Sequence, residues 1–326
     1  MHIFLTGASG FIGKNLVPYL LERNCQLTCL LRDPRRLPKE FHTRVRTVQG
    51  NLESLGAEAR EAMATAKAIV HLAGQPWGRT YADFDQTNRE GTRRLVQNAK
   101  TFEASLERFV YISTVAAAGP AKPGETLTEV SIEMPISWYG KSKLAGEREL
   151  EVAGFPWTVL RVPAAYGPYD QDVLRFFRLA AHHIATRFYP GHLEISLIHV
   201  LDVCQAIWLV LTKETRPVST YFINDGQPIH NVNDVLYLVA ESVGKWTVPV
   251  PVPLGLIRVA ELALGAVQHI GFKPQRMTSD KLKELRQRAW TCSADLIKAN
   301  LGFSPTMPLP QGISETVAWY RKAGKL

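Results

Sequence analysis

Thr6-Gly7-Ala8-Ser9-Gly10-Phe11-Ile12-Gly13 decides how this 326-residue chain is read. A short, mostly apolar run at residues 2–5 leads into it. A helix-like segment with Leu16, Leu20 and Leu21 follows, and then a second apolar run at residues 27–31. Strand, glycine turn, helix, strand is the setting in which a dinucleotide fingerprint has physical meaning. Glycine permits a tight turn and close backbone approach, so the amides opening the next helix can receive a pyrophosphate. Without the flanking strands the same triplet would be an ordinary turn. Pro18 falls inside the predicted helix, and a kink or local break is expected there.

Outward from that turn, apolar runs and amphipathic segments alternate to about residue 165, the pattern of a parallel sheet. The expected fold is α/β, a Rossmann-type doubly wound parallel sheet with a smaller, mostly helical C-terminal substrate lobe. Residues 1–165 form the nucleotide domain, completed by about 193–225; residues 166–192 and 226–326 form the lobe. Pro123-Gly124 and Pro249-Val250-Pro251-Val252-Pro253 read as loops. A hydrophobic content of 46% at this length can bury a full core. There is no run of 18 or more uninterrupted apolar residues, so no membrane-spanning helix is expected. The first strand starts at once, leaving no room for a signal peptide. Cys25, Cys29, Cys204 and Cys292 show no Cys-x-x-Cys spacing and read as reduced thiols of a cytoplasmic protein. The nine histidines form no ligand pattern, and no metal is expected. Basicity alone, without a basic motif interleaved with aromatics, gives no support for nucleic-acid binding.

Ser137-Trp138-Tyr139-Gly140-Lys141-Ser142-Lys143 carries the chemistry. Tyr139 and Lys143 are one helical turn apart and share a face. An ammonium held near a phenol stabilises the phenolate, giving a proton donor and acceptor usable near neutral pH. Such a pair alone is usually coincidence. A second feature supports it: the apolar run 109–112 ends in Ser113-Thr114, 25 residues before Tyr139. A hydroxyl at the C-terminal end of a strand faces the crevice where open α/β sheets bind ligands.

Together these residues resemble the extended short-chain dehydrogenase/reductase family, also called the epimerase/dehydratase superfamily. Its members carry Thr-Gly-x-x-Gly-x-x-Gly at the first turn, a Ser/Thr after a later strand, and Tyr-x-x-x-Lys. Further segments match in order: Gly50-Asn51-Leu52 (with Asn51 where Asp is usual), Val70-His71-Leu72-Ala73-Gly74, Asn88-Arg89-Glu90-Gly91-Thr92, Leu160 to Pro168, and His199-Val200-Leu201-Asp202-Val203. The resemblance implies that Gly7, Ser9, Gly10, Phe11, Ile12, Gly13, Asn51, Leu52, Leu72, Ala73 and Gly74 contact the dinucleotide, and that Pro163 and Ala165 border the nicotinamide. It implies that Thr114, or its neighbour Ser113, hydrogen-bonds the substrate oxygen. Tyr139 would transfer the proton. Lys143 would lower the Tyr139 pKa and bind the nicotinamide ribose. A homodimer through helices flanking the site is a family expectation.

NAD-preferring members place an acid at the end of the second strand, where it binds the ribose 2′-OH. Here that position falls on Leu31, and Arg32 follows. A guanidinium there favours a 2′-phosphate, with Arg35 and Arg36 close by, so NADP is expected. Asp33 keeps NAD as the alternative.

The substrate is read from what is missing and from the lobe. Dehydratases of the superfamily follow the active-site Ser/Thr with Asp-Glu; this chain has Val115-Ala116. Epimerases commonly carry an Asn shortly after Tyr-Gly-Pro; none occurs between Gly167 and Phe222. Residues 254–272 are instead mostly apolar, broken by Arg258, Glu261 and Gln268, and read as a core helix of the lobe. A second reading gives that helix a face on a greasy pocket or a bilayer surface. The basic run that follows (Lys273, Arg276, Lys281, Lys283, Arg286, Arg288) and the net charge of +8 would suit an anionic membrane. The C-terminal segments, Trp290 to Asp295 and Leu301-Gly302-Phe303-Ser304-Pro305, resemble the 3β-hydroxysteroid dehydrogenase and dihydroflavonol-reductase branch. The expectation is a secondary alcohol/ketone oxidoreductase on a sterol, triterpenoid or flavonoid-like molecule. A nucleotide-sugar epimerase or reductase and a non-catalytic NADP-binding regulator are the alternatives.

Overall fold

Strand β1 (His2–Thr6) sends Ile3 and Leu5 to one side and Phe4 to the other, all fully buried. That is the mark of a strand covered on both faces, as parallel sheets require. The computed structural model describes residues 1–189, 191–213, 218–256 and 279–326. Around β1 lie β2 (Gln26–Leu31), β3 (Arg46–Gln49), β4 (Ala68–His71), β5 (Arg108–Thr114) and β6 (Trp157–Val162). Three short strands, β7 (Ala164–Tyr166), β8 (Ile184–Tyr189) and β9 (Glu194–Ile195), precede β10 (Leu197–His199) and β11 (Val218–Phe222). Seven of these form one sheet, ordered β11-β6-β5-β4-β1-β2-β3, with every neighbouring pair parallel. The order reverses between β1 and β4, which opens a crevice at their C-terminal ends.

Helix α1 (Phe11–Leu21) covers one face through Leu16, Val17 and Leu20, beside the 200–212 helix. The other face is covered by α2 (Ala57–Ala64) and, after a short α3 (Tyr81–Asp85), by α4 (Thr92–Lys100). Of the kink or break expected at Pro18, the break does not occur: α1 runs through the proline. Proline removes one i to i−4 bond, yet Leu16, Val17 and Leu20 anchor the turns on both sides of it in the core.

The returning segment 193–225 contributes only β11 to the main sheet. β10 pairs instead with β7, and β9 sits between Ala289–Trp290 and His230–Asn231. A second difference concerns 249–253, expected as a loop. Val248–Pro253 is a strand parallel to β8. The Val248 amide donates to His183 O at 2.9 Å, so alternate amides face β8 and Pro249, Pro251 and Pro253 take the outer edge. Prolines are compatible with a strand when their missing N–H faces away from the ladder. Of the helix expected at 254–272, residues 257–272 lie outside the described residues, as do Lys273 and Arg276. Among the described residues, no helix is long and apolar enough to cross a membrane, and no His/Cys/Asp/Glu group could hold a metal ion.

Candidate active site

The turn between β1 and α1 sits at the crevice. Gly7 has φ +76°, and a Cβ there would lie 2.6 Å from the Ala73 amide nitrogen. A Cβ on Gly13 would lie 2.3 Å from Gly7 O. Gly10 N–H closes the turn on Gly7 O at 2.9 Å. α1 begins with no side-chain cap and no acid in its first turn. Its opening amides and positive dipole end are thus left for an anion. Ser9, Phe11 and Ile12 are half-buried around it and Gly10 is exposed. The cradle fits a dinucleotide pyrophosphate.

Behind the turn, Thr6 Oγ1 accepts from the Ala73 amide at 3.2 Å and bonds His71 Nδ1 at 2.6 Å. His71 Nε2 bonds Thr92 Oγ1 at 3.0 Å. Burial pushes His71 down to about 3, so the ring is neutral and structural. Leu72, whose amide donates to Thr6 O at 3.2 Å, Ala73 and Gly74 are thereby held against the first turn.

Residues 86–91 form a π-helical turn that carries buried Asn88. Asn88 Oδ1 accepts from the Gln75 amide at 2.7 Å; its Nδ2 donates to Gln75 O and to Ser142 Oγ at 3.0 and 2.9 Å. One side chain thus joins the segment after β4 to α6 (Trp138–Arg148), the helix bearing Tyr139 and Lys143. A short α5 (Val115–Ala118) packs on the start of α6 so closely that a Cβ on Gly140 would meet Ala116 O at 2.2 Å.

Thr114 ends β5, its Oγ1 accepting from the Ala116 amide at 3.2 Å and hydrogen-bonded to the Tyr139 phenol. Lys143 is buried; its ammonium donates to Ile112 O at 2.7 Å and lies 4.0 Å from the centre of the Tyr111 ring. Burial lowers Lys143 to about 7, against the pull of Glu147. Thr114, Tyr139 and Lys143 are therefore brought together at the C-terminal end of β5.

Two expectations are corrected here. Ser113 does not share the site with Thr114. Along β5 it falls on the face of Phe109 and Tyr111, and its hydroxyl donates to the Glu147 carboxylate. Nor does Lys143 lower the Tyr139 pKa in this state: burial, then the Glu284 carboxylate, push the phenol up, and the Thr114 hydrogen bond opposes them. The ammonium is occupied by Ile112 O.

Arg32 is exposed at the end of β2 and has no ion-pair partner among the described residues. Asp33 is engaged by Arg35, with Nε and Nη2 contacts of 2.9 and 3.1 Å, and that pairing holds its carboxyl below the usual range. Asn51 spends its side-chain oxygen on the Glu53 and Ser54 amides, at 2.9 and 3.0 Å, shaping its own turn. Leu52 is a core residue, while Pro163 and Ala165 are half-buried beyond β6. The sequence reading missed Arg161, which joins Glu147 and Glu133 under the site, and Asp280 and Glu284, which meet the start of α6. Glu147, four residues after Lys143 on the same helix face, is the one that spacing could have found.

Comparison with known proteins agrees with this arrangement. A protein of Caulobacter vibrioides called a ceramide reductase is 28% identical over 99% of this chain and 96% of its own length. A 3-beta-hydroxysteroid dehydrogenase of Mycolicibacterium neoaurum is 26% identical over 70% of this chain and 66% of its own. Among solved structures, MoeE5 in complex with UDP-glucuronic acid and NAD shares the fold with a TM-score of 0.78. It is 23% identical, with 99% and 100% of the two chains covered. The profile of the NAD dependent epimerase/dehydratase family matches residues 3–223. The chain belongs to that family, the extended short-chain dehydrogenases/reductases, and is a nicotinamide-dinucleotide-dependent enzyme.

Proposed function

We propose that the protein is an NADP-dependent oxidoreductase that interconverts a secondary alcohol and a ketone on a hydrophobic, polycyclic substrate. The observation that carries this reading is the pairing of the Thr114 hydroxyl with the Tyr139 phenol beside the wholly apolar, buried α5. Water elimination needs a carboxyl acid and base next to the threonine; Val115 and Ala116 offer neither. One proton-handling pair against an apolar wall suits reduction of a ketone. The names of two relatives, a ceramide reductase and a steroid dehydrogenase, support an apolar substrate.

The glycine turn and the α1 amides would hold the pyrophosphate, with Gly74, Lys143, Pro163 and Ala165 beside the rest of the dinucleotide. Arg32, unpaired among the described residues, supports a 2′-phosphate, since Asp33 is already bound by Arg35. When bound, the nicotinamide supplies or takes the hydride. The chain's own task is the proton. Thr114 orients the substrate oxygen by a hydrogen bond, and Tyr139 gives a proton to the alkoxide or takes one from the alcohol. Lys143 holds the ribose. The buried, apolar segment 115–118 keeps water from that side.

The test is a substrate screen with NADPH and NADP over steroids, other polycyclic ketones and alcohols, acyl-chain ketones and sugar nucleotides, alongside Tyr139→Phe. Turnover of apolar ketones, reduced about 10²- to 10⁴-fold by Tyr139→Phe with dinucleotide binding retained, is the expected result. Turnover confined to UDP- or dTDP-sugars would instead establish the epimerase or sugar-reductase reading.

A further inference from the structure

The helix Ser279–Leu285 brings two buried carboxylates to the start of α6. Asp280 and Glu284 are four residues apart, hence on one helix face. Both Asp280 oxygens lie 2.9 Å from the Trp138 amide, and the Tyr139 amide also bonds this carboxylate. Glu284 Oε1 accepts from Ser137 Oγ at 2.6 Å, and that hydroxyl in turn accepts from the Gly140 amide at 3.0 Å. The first two amides of the helix bearing Tyr139 are thus met by a remote helix, and the third by the Ser137 cap that Glu284 anchors, at sequence separations of 142 and 147 residues for Trp138–Asp280 and Ser137–Glu284. A capping role alone would need one neutral acceptor. Two buried carboxylates, one of them acting on the Tyr139 phenol, are a costlier arrangement than capping requires.

We propose that Asp280 and Glu284 are positioning residues of the active site, fixing the place and the electrostatic surroundings of the Tyr139 phenol through the first turn of α6. The inference rests on the reading of Tyr139 as the proton-transfer group. The charged and titratable groups around that phenol come from four elements. Glu284 and Asp280 lie on the 279–285 helix, where Lys281 pairs with Glu284 at 2.6 Å and Lys283 stands 3.9 Å from Asp280. Asp172 adds a further negative charge from the turn before Leu174–Ala181. Lys143 lies on α6 and Tyr111 on β5. Among these, burial and then Glu284 push the phenol upward most. A shift of the 279–285 helix would change both the cap and the charge at Tyr139, so the C-terminal part of the chain can tune the proton donor without touching the substrate.

The experiment places 3,5-difluorotyrosine at position 139 of the full chain, bringing phenol ionisation into an accessible pH range, and follows it by fluorine resonance. Glu284→Gln should lower the midpoint by about one pH unit, a tenfold change in proton affinity. Lys281→Met, which strips the ammonium from Glu284, should raise it. Opposite shifts from two neighbouring side chains are not produced by loosened packing. Equal midpoints, or shifts in one direction for both variants, overturn the proposal. If Glu284→Gln does not fold, Lys281→Met decides alone, because the lysine side chain is 37% exposed and Glu284 keeps its hydrogen bond from Ser137. The titration needs no substrate. A protein that turned over no alcohol or ketone would end the proposed function and leave this result standing.

Discussion

The Arg161 guanidinium is bonded to both carboxylate oxygens of Glu147, its Nε 3.2 Å from each and its Nη2 2.6 Å from Oε2. Both residues are buried, and Ser113 and Glu133 complete the cluster beneath α6. A buried pair adds little net stability, but removing one partner strands a charge and costs about 3–5 kcal/mol. Glu147→Ala should therefore lose that much unfolding free energy in a urea titration. Ser113→Ala should cost about 1–3 kcal/mol and leave turnover near normal, whereas Thr114→Val should lose turnover, with about 0.5–2 kcal/mol of stability from the lost Ala116 cap. Equal activity losses at 113 and 114 would contradict the division of roles drawn here.

Lys143 makes a pH prediction whose sign follows from burial. Its folded value, lowered to about 7, lies below the ordinary lysine value of 10.5. Between those limits the unfolded chain binds more protons, so stability rises with pH through that window. The cost of burying the charge is fully present below about pH 7. A bound dinucleotide places negative charge nearby and favours the ammonium. Titration calorimetry at about pH 8, in buffers of different ionisation enthalpy, should detect uptake of most of one proton on dinucleotide binding. Lys143→Met should abolish that uptake.

Local spacing made the glycine turn and Tyr139/Lys143 legible, because each is held by contiguous residues on one turn or one helix face. The parity of β5 was also in the sequence, but which of Ser113 and Thr114 faces the crevice depends on where the strand stops pairing. Asp280 and Glu284 were invisible for a different reason: nothing near them in sequence contains Ser137 or Trp138, and only tertiary folding joins them. The prolines of 248–253 misled because proline forbids a donor, not a strand. Its effect depends on which edge faces solvent.

The cofactor preference reduces to Arg32. Its guanidinium is exposed and unpaired among the described residues at the end of β2, while Asp33 is held by Arg35. A charge-assisted hydrogen bond to a 2′-phosphate contributes about 1.5–3 kcal/mol, or roughly 10- to 150-fold in affinity. Arg32→Ala should weaken NADPH by that factor and leave NADH nearly unchanged, as read by fluorescence titration. A clear preference of the unmodified protein for NADH would sink the NADP assignment.

Gly13 and Gly10 separate backbone packing from ligand approach in the first turn. An alanine at 13 would put its Cβ 2.3 Å from Gly7 O and 2.6 Å from Ala8 Cα, all rigid backbone. Relief requires moving α1 away from β1, against Leu16, Val17 and Leu20 in the core. Overpacking of this kind costs about 1–3 kcal/mol or more. Gly13→Ala should therefore lower the melting temperature and lose dinucleotide binding together. At Gly10 the added methyl carbon meets only Gly7 O, at 3.1 Å, and the residue is exposed with φ −79°. Gly10→Ala should fold with nearly normal stability and lose dinucleotide affinity selectively, because the methyl occupies the face where the pyrophosphate approaches. Normal dinucleotide affinity in Gly10→Ala would mean that the anion does not sit over this turn.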